Sequence, residues 1–310
     1  MFNEAVNAAV TRTELDAVFY QNFEYADSTP SMATAQDAEI FVPIQTDHSG
    51  YFYEVFKGPG LWGQTAETGT VTSTTPKVAN KVFVQVLDWT QSVYLSKNMF
   101  DDNMHGVWAA IVADMARTGR VTQDNNAFQV FRGAFTTTLT ADGDALCSTH
   151  SLINGGTSNN KISGGTSALS DTSLYTAMVT LRQQVNQAGI PLGNVPAILL
   201  VPSALFKLAL QLTDSALVAD TANNAINVYR STYGFKVMTS IWLDAANGGS
   251  DTAWFLLAKN HGVRRLIRQG IETSFRDWSY SDNRTYFYQG NFRETYFAQD
   301  YAGIVGAVGV

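Results

Sequence analysis

The chain has a single cysteine, Cys147, in 310 residues. No intrachain disulfide and no cysteine-based zinc site can form. Its four histidines, His48, His105, His150 and His261, are scattered without metal-ligand spacing. Charge is scarce as well: 15% of residues are Asp, Glu, Lys or Arg, against about a quarter in ordinary globular domains. The net charge is -7, and Arg264, Arg265 and Arg268 form the only basic cluster. Tight sequence-specific nucleic-acid binding needs a basic stripe that displaces counterions, so that class is set aside. There is no apolar run of about 18 residues, so no membrane span is expected. A charged start followed by an apolar stretch is also missing, so no signal peptide is expected.

Apolar residues make up 45% of the chain, enough for one large core or two intermeshed domains. Thr, Ser, Asn and Gln fill the place of the missing charge. A surface of that kind suits extensive protein–protein contact.

Periodicity divides the chain. Val6, Val10, Leu15, Val18, Phe19 and Phe23 recur at roughly helical spacing up to the break at Asp27 to Pro30, which fits equally an N-terminal arm packed outside its own core and a simple surface helix. Ile40 to Trp62 and Pro76 to Leu95 read as two long extended segments. Val82, Val84 and Val86 lie on one face of the second, with Phe83 and Leu87 on the other. Gly63 to Thr75 is rich in Thr, Gly and Ser and fits the tip of a long hairpin. A lone hairpin is marginal in water, so this one must lie on its own body or on a neighbour.

Phe100 to Arg132 reads as one long helix, capped by Asp101 or Asp102 and free to bend at Gly119. Leu174, Met178, Leu181, Val185 and Ala188 predict a second helix over 170–188, stopped by Gly189 and Pro191. A buried strand, Val195 to Val201, breaks at Pro202 into a helix with Leu205, Leu208, Ala209 and Leu212 inward. Phe235 to Leu243 and Trp254 to Ala258 read as strands. Arg284 to Tyr288 and Glu294 to Gln299 flank a turn at Gln289-Gly290-Asn291. Tyr301 to Val310 is apolar and reads as a buried strand or terminus. The plan is mixed α+β.

Little in the chain promises chemistry. Cys147 and His150 sit three apart, but a nucleophile needs a base in reach and a third group to orient it, and no sequence signal supplies one. Ser163-Gly164-Gly165-Thr166-Ser167 lacks the Gly-Lys-Ser/Thr ending of a phosphate loop, and Lys161 precedes the glycines. Asp214, Asp220 and Asp244 show no calcium-loop spacing and read as caps and turn residues. The sequence therefore offers no catalytic, cofactor-binding or metal-binding residue.

Several short stretches, taken in order, resemble the Mu-like major head subunit family of tailed phages, whose fold is named after phage Hong Kong ninety-seven. They are Glu14-Leu15-Asp16-Ala17-Val18-Phe19-Tyr20-Gln21-Asn22-Phe23, Ser96-Lys97-Asn98-Met99-Phe100-Asp101-Asp102, Asp142-Gly143 through His150, Ala197-Ile198-Leu199-Leu200-Val201-Pro202, and Ala209-Leu210-Gln211-Leu212. Members of that group often carry an aromatic where Cys147 stands. The resemblance implies an N-arm over 1–44 and an extended E-loop over 45–95. It implies a P-domain over 96–169 with its spine helix at 100–132, an A-domain over 170–253, and return strands of the P-domain over 254–310.

The function it implies is structural: a major capsid protein that assembles into an icosahedral shell around double-stranded DNA. The chain would then be no enzyme and need no cofactor. Phe52, Tyr53, Phe56 and Trp62, with Lys57 and Lys77, become the candidate inter-subunit contacts. Lys57, Lys77 and Lys81 are also the lysines placed to form the isopeptide cross-links that some shells of this fold carry. Partners would be further copies in pentamers and hexamers, a portal, and scaffold or decoration proteins; DNA would be only a non-specific neighbour. The arm begins almost at Met1, which implies a separate scaffold or none. The expected location is the virion, after assembly in the host cytoplasm. Two rivals stand beside this reading: an encapsulin-type compartment of the same fold, and a soluble α/β hydrolase using Cys147 and His150.

Overall fold

The computed structural model describes residues 12–23 and 40–309, apart from 66, 72, 74, 76, 103–104, 154, 216–226, 228, 235 and 281–282. Residues 12–23 form helix α1; the rest of the expected arm, including Val6, Val10 and the 27–30 break, lies outside the described residues.

The two extended segments do not make one hairpin. Strand β1 (Val42–Gln45) turns away and pairs in parallel with a much later strand. Only β2 (Gly50–Lys57) and β3 (Lys77–Gln85) pair antiparallel, from Gly50 opposite Gln85 to Lys57 opposite Lys77. The chain changes sheets at Val86, whose N–H bonds to the Ser49 carbonyl while its side chain is buried in the seam. Strand β4 (Leu87–Ser96) then belongs to a different sheet. Continuous β-propensity over 76–95 conceals this, because the switch is set by a tertiary contact at one residue.

A short helix α2 (Lys97–Asp101) precedes the long helix α3 (His105–Arg132). The expected 100–132 helix is thus two pieces, and Asp102 falls between them rather than at the start of one continuous helix. Helix α3 is 28 residues long, about 42 Å at 1.5 Å per residue. Its first half packs Trp108, Val112, Met115 and Ala116 on one core. Its last turns pack Ala127, Phe128, Val130 and Phe131 on another. One rod therefore ties two sheets together.

The small strands β5 (Thr149–Ser151), β6 (Thr157–Asn159) and β7 (Lys161–Ile162) follow. Helix α4 (Asp171–Gln183) starts at Ser170, whose hydroxyl accepts the Ser173 N–H in a capping box. It stops at Gln184, earlier than Gly189. Gln184 is buried, and its side chain donates to the Ile304 carbonyl and accepts the Gly303 N–H. Asn186 folds the following loop by accepting the N–H groups of Ala188 and Ile190. These bonds outweigh the apolar stripe beyond residue 183.

Strand β8 (Pro196–Val201) lies one residue from its expected start. Helix α5 (Phe206–Thr213) follows after a single 3-10 turn at Ser203–Leu205. Ala209 is buried, but Leu208 is on the exposed side, contrary to the expected face. Strand β9 (Lys236–Thr239) ends early, because Ser240 caps a 3-10 turn at Ile241–Leu243. Strand β10 (Trp254–Ala258) is buried along its whole length. Strands β11 (Val263–Arg276) and β12 (Thr285–Ala298) form one long antiparallel pair, and β13 (Ile304–Ala307) closes the chain.

The turn expected at Gln289-Gly290-Asn291 does not exist. Gly290 lies mid-strand, opposite Gln91 on one side and Thr273 on the other. A Cβ there would lie 3.0 Å from Met115 Cε and 3.5 Å from Phe19 Cζ. Gly290 serves close packing of α1 and α3 on the sheet, a role that local sequence cannot distinguish from a turn.

Two sheets organise the result. One has the order β1-β11-β12-β4 and carries α1 and the first half of α3. The other has the order β7-β13-β10-β8-β9. Leu200, Phe255, Leu257 and Ile304 face α3 across it. Leu199, Trp254, Leu256 and Val305 face the α4 and α5 side. Both faces are apolar, so its central strands read as unbroken hydrophobic runs.

Candidate interaction surface

The β2–β3 hairpin has two unlike faces, because side chains alternate along a strand. On the inner face, Tyr51, Tyr53, Val55, Val82 and Val84 pack with Val86, Ala141, Leu266 and Phe297. On the outer face, Phe52 pairs with Phe83 at 4.6 Å between ring centres. Next come the Glu54–Lys81 ion pair at 3.3 Å and then the Phe56–Val78 pair. Phe52 and Phe56 are 59% and 62% exposed, and Trp62 beyond them is 96% exposed. Glu54 and Lys81 are both partly exposed, so their pair adds alignment more than energy.

Of the candidate contacts, Phe52, Phe56 and Trp62 point away from the body. Tyr53 does not. It is buried, stacks on Phe297 at 5.6 Å, and its hydroxyl donates to the Ala298 carbonyl at 3.4 Å. Tyr53 seats the hairpin on its own chain, and strand parity separates it from Phe52. Lys57 and Lys77 are direct cross-strand neighbours. Like charges placed so are mutually unfavourable, which an acidic group from outside would relieve.

The seat of the hairpin is a polar clamp. The Asn80 side chain donates to the Ala141 carbonyl at 2.6 Å. Ala141 sits in a tight loop closed by a Leu139–Ala145 bridge. Inside that loop the Thr140 hydroxyl donates to Asp142, and Asp142 meets His150 Nδ1 at 2.6 Å. His150 is fully buried, lies 3.3 Å from the Leu146 carbonyl through Nε2, and stacks on Tyr301 at 4.0 Å. Burial alone would raise the Asp142 carboxyl, but hydrogen bonds from His150 and Thr140 outweigh it and hold it below the usual carboxylate range. Asp300 nearby goes the other way: burial raises it despite the N–H groups of Ala302 and Tyr301. Beside the clamp is a cavity of about 310 Å³ lined by Val55, Asn80, Asp142, Gln299, Asp300 and Tyr301 among others.

The hydrolase reading fails here on geometry. Cys147 is fully buried against Gly306, and desolvation pushes its thiol well up. Both ring nitrogens of His150 already face Asp142 and Leu146. Asp142, Asp144 and His150 each bring a ligand atom within 4.8 Å of the others, yet the Asp142–His150 bond already occupies two of the three. Asp244 accepts the Ser203 N–H, and Asp214 follows α5 as its C-cap, consistent with the cap reading; Asp220 lies outside the described residues. The basic cluster is largely spent internally. Arg265 pairs with buried Glu294 at 2.6 Å, and Arg264 donates to Gln299.

Sequence reasoning missed the Asp142–His150–Tyr301 clamp. Its only local trace is the Asp142-Gly143-Asp144 turn ahead of His150, and Tyr301 arrives from the far end of the chain.

This architecture, two sheets bridged by one long helix with a projecting hairpin, has close counterparts among solved particles. The structure is similar to a virus-like particle from Pyrococcus furiosus at 7% identity and TM-score 0.55, covering 95% of this chain and 98% of that one. It is similar to a structure from Microbacterium phage Oxtober96 at 13% identity and TM-score 0.54, covering 90% and 92%. A capsid structure of the cyanophage P-SCSP1u matches at 12% identity and TM-score 0.54, covering 89% and 88%. At such identities these establish the fold: the shell-subunit fold of tailed-phage capsids. No curated protein sequence matches significantly. The family model described as phage capsid protein matches residues 79–307. The chain belongs to the phage capsid protein family.

Proposed function

We propose that this capsid protein is the major head subunit of a tailed phage or prophage, forming an icosahedral shell of pentamers and hexamers around double-stranded DNA. The observation that carries the reading is the outer face of the β2–β3 hairpin. Phe52, Phe56, Phe83 and Val78 remain exposed in the monomer, while the inner face packs on the body, with Tyr53 buried and Tyr51, Val55, Val82 and Val84 partly buried. An apolar ladder on a projecting hairpin is stable in water only when covered. In a closed shell the natural cover is the next subunit, and obligate contacts of that kind exceed about 2,000 Å² in total.

In this reading residues 1–44 act as the N-arm and 45–95 as the E-loop region. Residues 96–169 and 254–310 form the P-domain around helix α3, and 170–253 form the A-domain. The role is structural, without turnover. Lys57, Lys77 and Lys81 are the lysines available for covalent linkage to a neighbour. A portal and scaffold or decoration proteins complete the set of partners, and assembly takes place in the host cytoplasm before the subunit resides in the virion. The stretches at 14–23, 96–102, 142–150, 197–202 and 209–212 support a Mu-like member of the family.

Size-exclusion chromatography tests the reading. The subunit should elute as a megadalton assembly, and a protein that stays a 33.8 kDa monomer under all assembly conditions would refute it. A second reading within the same fold is an encapsulin-type compartment loaded with protein cargo; the fold shared with the Pyrococcus furiosus virus-like particle is compatible with it. Nuclease-protected DNA in particles from infected or induced cells selects the phage head; protein cargo without DNA selects the compartment.

A further inference from the structure

The β2–β3 hairpin is a sheet of only two strands, and it closes over an acid-lined space. The cavity of about 310 Å³ beside the clamp has Val55, Val78 and Asn80 of the hairpin as its roof and Asp142, Asp300 and Tyr301 of the body as its floor. Among the described residues that line it there is no lysine, arginine or histidine. Its two carboxylates are not equivalent. Asp142 is matched by the His150 ring and the Thr140 hydroxyl. Asp300 accepts only backbone N–H groups, those of Ala302 at 3.2 Å and of Tyr301, and no side chain among the described residues donates to it. Arg264 reaches the rim only through Gln299, to which it donates at 3.1 Å.

The floor is the fixed side. The Gln299 N–H bonds to the Gly262 carbonyl at 2.8 Å, and a Cβ on Gly262 would collide with the Asp300 carbonyl oxygen, so the β10–β11 loop and residues 299–300 touch backbone to backbone. Tyr301 is buried, and its hydroxyl donates to the Val185 carbonyl at 3.1 Å. The roof is held by less: the Asn80–Ala141 bond, the Val86–Ser49 bond at its base, and inner-face packing. Lifting the roof hydrates Asp300. Closing it removes that water, and an ionised carboxylate without a cation or side-chain donor is then costly, so the neutral acid is favoured. Burial raises Asp300 above the ordinary carboxylate range; the Ala302 and Tyr301 N–H groups and His150 oppose this, and Asp142 adds to it. Tyr53 and Tyr301 are both pushed up to about 12, by burial first, so both hydroxyls stay neutral while Asp300 titrates.

We propose that the β2–β3 hairpin is a proton-linked flap, closed over a neutral Asp300 and loosened when that carboxyl ionises. Closing takes one proton from solvent onto the Asp300 carboxylate, and opening returns it. The stabilisation from this source is full below the ordinary carboxylate range, about 4, and is lost as pH rises through the raised value of Asp300. Two other groups bound the window. Asp142 acts below it, since its bond to His150 is lost only as pH falls. His261, in the β10–β11 loop against Gly303 and beside Arg264, acts with the opposite sign. The flap carries Phe52 and Phe56 on its outer face, so one proton sets how that exposed ladder is presented. The flap belongs to the unassembled subunit and does not depend on the shell reading.

Hydrogen–deuterium exchange of unassembled subunits across the acid-to-neutral range, corrected for the intrinsic pH dependence of exchange, tests the flap. Opening of the β2 and β3 amides should grow as pH rises, by up to about tenfold per pH unit while Asp300 titrates. The amides of β8 and β10 should not follow. Asp300→Asn, neutral at every pH, should keep the hairpin protected and remove the slope. Opening that ignores pH in the parent overturns the proposal. So does a slope that survives in Asp300→Asn, or one shared by β8 and β10, which would be loosening of the whole chain.

The carboxyl-carbon NMR signal of Asp300 in the parent covers the case in which Asp300→Asn does not fold. Its midpoint should lie above about 4, and a midpoint at or below that value overturns the proposal. Asn80→Ala removes the bond to Ala141 but no charge. It should raise β2–β3 opening at every pH and leave the slope in place. Loss of the slope in Asn80→Ala would trace it to the clamp rather than to Asp300 and also overturn the proposal.

Discussion

Replacing Gly306 by alanine should weaken the subunit by crowding Cys147 and Phe135. Gly306 lies in β13, opposite Phe255, with its N–H bonded to the Asn160 carbonyl at 3.0 Å. A Cβ on this glycine would sit 2.6 Å from Cys147 Sγ, 3.0 Å from Phe135 Cε1 and 3.1 Å from Cys147 Cβ. Ordinary carbon contacts lie at about 3.5–4.0 Å, so the shortfall approaches an ångström. Neither neighbour can move cheaply. Cys147 is fully buried, and Phe135 is stacked on Phe255 at 5.5 Å. Overpacking a tight core costs about 1–3 kcal/mol, and this site belongs at the upper end.

The cost should appear in urea unfolding of unassembled subunits, because shell contacts would otherwise add their own stabilisation. Cys147→Ala alone removes one buried sulfur and should cost about 1 kcal/mol. In the double variant the new methyl group occupies the vacated space. The two changes should therefore be less damaging together than their sum, with a coupling of about 1–2 kcal/mol. If Gly306→Ala unfolds like the parent, or if the two costs simply add, the packing account of Cys147 is wrong. The same geometry explains why a small side chain stands at position 147: the β13 backbone at Gly306 leaves no room for a ring.

Three further perturbations follow from the buried charges. His261 is held down to about 4 by burial and then by Arg264, against an unfolded value near 6.5, so the unfolded chain binds the extra proton between those values. Stability should fall as pH drops from about 6.5 to about 4, and His261→Gln should flatten that limb in pH-dependent unfolding. Asp142 has a lowered value in the folded state, so its contribution is full above the ordinary carboxylate range near 4 and is lost as pH falls through it; Asp142→Asn should remove that acid-limb slope and increase hydrogen exchange in the 139–145 loop. Arg265→Ala leaves Glu294, whose side chain is 2% exposed, with the Tyr296 hydroxyl but without its guanidinium, and should cost about 3 kcal/mol by denaturant titration, whereas an exposed pair such as Glu54–Lys81 should cost well under about 1 kcal/mol.

The legible parts of the fold were those with strong local signals. The α4 stripe, the unbroken apolar run of β8 and the Gly/Thr/Ser-rich hairpin tip each carry a period or a breaker that survives in isolation. The illegible parts depend on partners remote in sequence. Val86 switches sheets because it is buried beside Leu266 and Phe297. Gly290 looks like a turn and is a packing glycine under Met115 and Phe19. Gln184 ends α4 through bonds to residues 303 and 304. At the interaction surface, Phe52, Phe56 and Trp62 were recoverable from their position in an extended hairpin. Tyr53 lies on the opposite face, a distinction set by the strand register, which local sequence does not fix. The clamp formed by Asp142, His150 and Tyr301 joins loops about half the chain apart, and no spacing rule reaches that far.

Electron cryomicroscopy of the purified, assembled protein tests the central claim most directly. The account predicts closed hollow particles of uniform size whose wall resolves into five- and six-fold rings, with each β2–β3 hairpin lying on an adjacent subunit. Particles in which the outer hairpin face, Phe52, Phe56, Phe83 and Val78, touches no adjacent subunit, or a preparation containing only monomers and irregular aggregates, would contradict it.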